Sequence, residues 1–248
     1  RQLSIDALVL TLTQDTLIDT KGNSTFSLVS DGTIDIDSDS IEDRGSRNYS
    51  QGNTRINTQG DANLKGTWGA GQRDATGLVT TASDIILKIG KNLNLSSATL
   101  DASNDLTLQS DRLKATNSQL QANAGLTITT TSSAAATPTN LSNSTLIANN
   151  ITVSADHLSA QNTQANARQN IQLGTTRFQN VGQWHAGNNL SITQQGDLNI
   201  AQGEYLAAGQ TLSIATEGNI TNAGILQANT IEASAHKLTN QSTGEISA

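Results

Sequence analysis

One motif limits what this chain can fold into: an aliphatic residue, a polar residue and a second aliphatic residue, recurring at nearly constant spacing. It appears as Leu87-Lys88-Ile89, Leu106-Thr107-Leu108, Leu126-Thr127-Ile128, Ile151-Thr152-Val153, Ile171-Gln172-Leu173, Leu190-Ser191-Ile192, Leu212-Ser213-Ile214 and Ile231-Glu232-Ala233. Successive first residues stand 19, 20, 25, 20, 19, 22 and 19 positions apart. Self-similarity at such a period is the signature of a repeat architecture. The longest interval holds the low-complexity run Thr130-Thr131-Ser132-Ser133-Ala134-Ala135-Ala136-Thr137-Pro138, which reads as a loop.

Each unit carries further aliphatic beats. Leu106 and Leu108 are followed by Leu113, Ala115, Leu120 and Ala122, and Leu190 and Ile192 by Leu198, Ile200, Leu206 and Ala208. Alternation of aliphatic and polar residues marks a strand with one buried face, whereas a helix needs apolar residues at i, i+3, i+4 and i+7. Three short strands per unit, separated by Asn, Gly and Asp turns, describe a three-faced coil. The expected fold is all-β, a right-handed parallel β-helix with coils of about 20 residues. At about 4.8 Å per coil, roughly a dozen coils would form a rod on the order of 60 Å long. Asn117, Asn149, Asn150, Asn188 and Asn189 fall in turns where asparagine ladders are expected.

Composition narrows the class. The 248 residues include two Phe, two Tyr and two Trp, one Pro, and no Met or Cys, so the core must be built from Leu, Ile, Val and Ala. A formal charge of -7 argues against a nucleic-acid partner, which would call for a basic stripe. No apolar run approaches the roughly 20 residues that span a bilayer, so the chain is expected not to be membrane-spanning. Arg1-Gln2-Leu3-Ser4 does not read as a signal peptide, and an internal stretch of a longer chain is expected. Absence of cysteine suits a protein threaded unfolded through a pore, but leaves the compartment open.

The run Leu87-Lys88-Ile89-Gly90-Lys91-Asn92-Leu93-Asn94-Leu95-Ser96-Ser97-Ala98-Thr99-Leu100-Asp101-Ala102 resembles a filamentous-haemagglutinin repeat. So do Ala208-Gly209-Gln210-Thr211-Leu212-Ser213-Ile214-Ala215 and Asn219-Ile220-Thr221-Asn222-Ala223-Gly224-Ile225-Leu226-Gln227-Ala228. The resemblance covers residues 85–248. It implies a secreted exoprotein displayed on the surface of a Gram-negative bacterium, associated with the outer membrane. Export would use an outer-membrane two-partner secretion transporter. Related members are adhesins and the exoproteins of contact-dependent growth inhibition, which carry a C-terminal toxin. The family's secretion domain, with its Asn-Pro-Asn-Gly-type motif, is absent here, and no toxin-like domain is visible. The implied role is stalk and receptor-binding segment of a growth-inhibition exoprotein. The alternatives are a structural spacer of a host-directed filamentous adhesin and a polysaccharide-degrading β-helix.

Residues 1–84 depart from the repeat. Alternation persists in Leu8-Val9-Leu10-Thr11-Leu12 and Thr33-Ile34-Asp35-Ile36-Asp37, but glycine gathers in Asn63-Leu64-Lys65-Gly66-Thr67-Trp68-Gly69-Ala70-Gly71. Continuing coils with longer excursions are expected, and this irregular segment is the candidate receptor-binding region, since loops carry function on rigid scaffolds. Its scarce aromatics lie among arginines. Arg44, Arg47, Tyr49, Arg55, Trp68 and Arg73 form the candidate receptor- or glycan-binding set. Arginine offers forked contacts to phosphate or carboxylate, and an aromatic ring offers a flat face, a combination suited to lipopolysaccharide or another anionic surface glycan. Equally, the aromatics could fill wider coils and the arginines be ordinary solvated charges. For a second group, Arg177, Phe178, Trp184 and His185, packing is the expectation because Phe178 and Trp184 sit at repeat positions.

Other constellations carry less. Asp35, Asp37 and Asp39 alternate along one strand face, yet Ser40 stands where a Ca²⁺ loop needs Gly, so an exposed acidic face is expected. Asp101 with Asp105, or Asp35 with Asp37, could meet the 5–10 Å spacing of glycosidase carboxylates by chance. His157, His185 and His236 lie 28 and 51 residues apart, which is no metal spacing. There is no cysteine nucleophile and no Gly-x-Ser-x-Gly elbow. No catalytic residue, metal or cofactor is expected.

Overall fold

The computed structural model describes residues 9–12, 16–18, 27–133 and 138–248. It is an all-β solenoid of parallel strands, about 11 turns of about 20 residues each. Three sheets run along it. The first begins with Val9–Leu12, Thr33–Ser38, Thr54–Thr58, Ile85–Ile89 and Leu106–Ser110, each paired in parallel with the next. The second takes in Thr16–Ile18, Ile41–Asp43, Ala62–Leu64 and Asn92–Asn94. The third takes in Ser27–Ser30, Arg47–Ser50, Thr67–Ala70 and Thr99–Ala102. Two long strands, Thr145–Ser159 and Gln164–Gln179, turn corners and serve all three. No helix among the described residues is long and apolar enough to cross a membrane.

Over most of the coils the inward positions stack as columns of similar residues. In the first sheet Ile36, Ile56, Leu87, Leu108, Ile128, Val153, Leu173, Ile192 and Ile214 follow one another from coil to coil, each almost fully buried. The third sheet has a column of large residues, including Trp68, Leu100, Leu120, Leu146, Trp184 and Leu206. Beside it lies a column of alanines, among them Ala70, Ala102, Ala122, Ala186 and Ala208. Large beside small lets neighbouring columns interdigitate at interior density. Where like sits on like, each coil offers the next a matching ledge, and burial accumulates coil by coil.

The period is as expected, with one exception in register. Ile85 pairs with Leu106 and Leu87 with Leu108, so the Leu87 motif is not the counterpart of the Leu106 motif but its second half. A slip of two residues returns the same face inward, which is why the pattern alone does not expose it. The other six spacings agree with the strand pairing.

The first sheet runs unbroken through residue 84, since Thr54 pairs directly with Ile85. The long interval between them is an excursion: Gln72–Arg73 and Val79–Thr81 form an antiparallel hairpin standing off the third sheet. Earlier coils look irregular in sequence because polar residues occupy inward positions. Asn48, Ser50 and Thr54 are buried there, Asn48 donating to Ser46 Oγ at 2.5 Å and Ser50 bonded to Thr54 at 2.8 Å. Leu8 and residues 134–137 of the low-complexity run lie outside the described residues; residues 131–133 and Pro138 have no regular structure.

Asparagine ladders form where the turns align. Asn189 donates to Asn170 Oδ1 at 3.2 Å, and Asn170 donates to Asn150 Oδ1 at 3.1 Å. A different turn stacks Asn117, Asn143 and Asn162, all in the left-handed region that asparagine tolerates, with Asn162 donating to Asn143 at 3.1 Å.

Candidate functional site

The six N-terminal candidates separate once coil position is fixed. Arg47 and Tyr49 are outward residues of the strand Arg47–Ser50 in the third sheet. Arg73 reaches the same face from the hairpin that leaves this sheet after Gly71. Together with Val29, Thr67, Gly69 and Asp101 they line a groove of about 480 Å³. Arg55 instead belongs to the first sheet, where it pairs with Asp35 at 3.6 Å. Arg44 stands on the turn before Ser46 and pairs with Glu42 at 3.3 Å. Neither lines the groove.

Trp68 requires a correction. It is 1% exposed, lies in the large inward column, and its indole N–H donates to Asp43 Oδ2 at 2.9 Å. It offers no face to a ligand. Asp43, itself fully buried, also accepts from the amides of Gly45 at 3.0 Å and Ser46 at 2.8 Å through Oδ1. The carboxyl thus ties the turn Arg44–Ser46 to the following coil. The signal was present in the sequence: Trp68-Gly69-Ala70 has the same inward large–outward–inward alanine pattern as Leu100-Asp101-Ala102.

Tyr49 is built as a platform. Its ring leans over the next coil, where the position a side chain would take on Gly69 lies 3.1 Å from Tyr49 Cδ2. Its hydroxyl donates to Gly71 O at 2.6 Å, and 36% of the residue remains exposed. Burial, and secondarily the charge of Asp101, raise its pKa above the ordinary 10.0, so the phenol keeps its proton and its bond to Gly71 through the neutral range. Arg73 donates to Asp101 Oδ1 at 3.2 Å and reaches Ala102 O at 3.5 Å, which fastens the hairpin base to the sheet. Among the described residues Arg47 has no ion-pair partner and is exposed. The groove therefore holds two guanidinium groups and one carboxylate, a local excess of positive charge on an acidic chain.

One contributor was missed from sequence. Asp101 is distant in the chain and meets the cluster only because Tyr49, Gly69 and Asp101 share one outward column. The hairpin tip lies beyond the groove. Asp74 Oδ1 accepts from Thr76 N at 2.8 Å, Thr76 Oγ1 at 2.6 Å and Leu78 N at 3.0 Å, shaping a tight turn that leaves Leu78 67% exposed. These bonds, the Thr76 hydroxyl foremost and then the Leu78 amide, hold the Asp74 carboxyl below its ordinary 3.8.

The remaining constellations resolve locally. Asp35 faces Arg55, and Asp37 accepts from Asn57 Nδ2 at 3.2 Å, so the acidic strand is matched by the next coil. Among the described residues no three His, Cys, Asp or Glu side chains group as metal ligands. Asp101 is engaged by Arg73, while Asp105 Oδ1 accepts from Gly125 N at 2.7 Å. Phe178 and Trp184 are buried and meet edge to face at 5.9 Å, as their repeat positions predict, with Trp184 Nε1 donating to Val181 O at 2.6 Å. Arg177 and His185 point outward from their strands.

Fold and groove together describe a β-solenoid with a non-repetitive groove beside its hairpin. No family model, curated protein or solved structure matches the chain.

Proposed function

We propose that this chain is the stalk and receptor-binding segment of a secreted exoprotein for contact-dependent growth inhibition, displayed on a Gram-negative surface to deliver a toxin to neighbouring bacteria. One observation carries the reading. A rod of repeating coils bears an excursion, the hairpin after Gly71, whose base adds Arg73 to a groove that also contains an unpaired guanidinium and a fixed aromatic ring. Rigid scaffolds with function on their irregular segments are the usual arrangement. The outer-membrane transporter and the toxin enter by resemblance of the repeats alone. Residues 85–248, apart from Asp101 in the groove wall, serve as spacer in this scheme.

Binding of the fluorescently labelled chain to a panel of Gram-negative cells tests it, with unlabelled chain as competitor. Saturable binding that falls when Arg47 and Tyr49 are both changed to alanine supports the reading. Absence of saturable binding across the panel overturns it in favour of a spacer in a host-directed adhesin.

A further inference from the structure

We infer that the groove between the strand Arg47–Ser50 and the hairpin takes a sugar residue bearing a carboxylate or a phosphate. The inference rests on the receptor-binding reading and names the chemistry of its ligand. Arg44, Arg55 and Arg73 are each neutralised by a carboxylate at 3.2–3.6 Å. Arg47 is not, and it stands two residues from Tyr49 on the same outward face, roughly 7 Å away along the strand. A guanidinium left unpaired at the rim of a concave site is a ready fork for a planar or tetrahedral anion.

The rest of the lining suits a sugar ring rather than a peptide. Tyr49 spends its hydroxyl on Gly71 O, so what remains for a ligand is ring carbon. A ring held at both ends, by that bond and by contact with Gly69, loses little freedom when a ligand packs on it. Asp101 uses Oδ1 on Arg73, and Oδ2 accepts from no described donor, leaving a carboxylate oxygen for sugar hydroxyls. Gly69, lacking a side chain, lets the Tyr49 ring lie close over the next coil, which sets that ring as one wall of the groove. A peptide added as a strand would need a free sheet edge. The strand Arg47–Ser50 offers none, being paired on both sides with Ser27–Ser30 and Thr67–Ala70. At about 480 Å³ the groove fits one or two sugar rings.

The test is titration of the full chain, followed by ligand-observed NMR, with galacturonic acid, glucose 1-phosphate, and neutral galactose and glucose. The two acidic sugars, one carboxylated and one phosphorylated, separate the anion sources. We expect at least one acidic sugar to bind on the order of tenfold more tightly than its neutral counterpart, the size of one charge-assisted contact. Arg47→Gln should erase that difference and Arg47→Lys should retain part of it. Tyr49→Ala should weaken acidic and neutral sugars alike. Equal binding of acidic and neutral sugars, or an acid preference that survives Arg47→Gln, overturns the inference. If the chain binds cells but no acidic sugar, this inference fails while the receptor reading stands; if it binds neither, both fail.

Discussion

Replacing Trp68 by Phe separates scaffold from recognition in the N-terminal third. The indole N–H is the sole donor to Asp43 Oδ2 among the described residues, at 2.9 Å, and both side chains are buried. Phenylalanine keeps most of the apolar bulk over Asn48 and under Leu100 but removes that donor. A buried carboxyl oxygen left without a partner costs about 1–3 kcal/mol, and the smaller ring adds a cavity term of about 1 kcal/mol. The sum, roughly 2–4 kcal/mol, is large for a single coil. In a solenoid each coil contacts only its neighbours, so the loss should stay local. Hydrogen exchange read by mass spectrometry should show amides within residues 41–70 exchanging on the order of 30- to 1000-fold faster, each tenfold being about 1.4 kcal/mol. Peptides within residues 190–227 should be unchanged. Binding per folded molecule should be kept, because Trp68 touches no groove space. Unchanged exchange in residues 41–70 would refute the assignment of the Trp68–Asp43 bond as a coil-to-coil tie. Lost binding with unchanged exchange would return Trp68 to the recognition surface.

Three further outcomes follow from the same geometry. Gly71 has φ +81° and an added Cβ would run into the Ser103 side chain and the Thr81 carbonyl, so Gly71→Ala should cost more than about 1 kcal/mol and loosen the hairpin base; circular dichroism melts and limited proteolysis within residues 71–84 read the effect. Asn170 is the middle rung of its ladder, and Asn170→Ala should lower stability by about 1 kcal/mol, measured by urea unfolding. The Asp74 carboxyl sits below its unfolded value, so its bonds stabilise the hairpin tip above that value and are lost as pH falls through the lower folded one. Protection of the Thr76 and Leu78 amides, corrected for intrinsic exchange, should therefore hold from neutral pH to near 3.8 and drop below it; Asp74→Asn should make that protection independent of pH.

How much of this was legible in the sequence depends on which symmetry each feature obeys. Strand alternation has a period of two and the coil a period near 20, and both are visible as soon as Leu126-Thr127-Ile128 is set against Ile151-Thr152-Val153. A shift by two residues preserves the first symmetry, so Leu87-Lys88-Ile89 satisfies the motif while occupying the second half of its strand. The early coils hid the coil period because Asn48, Ser50 and Thr54 bury hydroxyl and amide groups where later coils bury Leu and Ala, and a hydrophobicity pattern registers such positions as solvent-facing. Trp68 is ambiguous for the opposite reason: judged by residue type it suits either recognition or packing, but judged by column it is the equivalent of Leu100. Column membership is the better criterion, since in a solenoid the inward or outward sense of a residue is inherited from the coil before it. The same criterion leaves Tyr49 on the surface, because it lies between two inward residues, Asn48 and Ser50. It also brings Asp101 to it across a coil that no local motif spans. Recognition on a rod of this kind should therefore be sought where an outward column breaks its own polar monotony beside an insertion, which in the described residues is the column Val29, Tyr49, Gly69, Asp101 next to the hairpin.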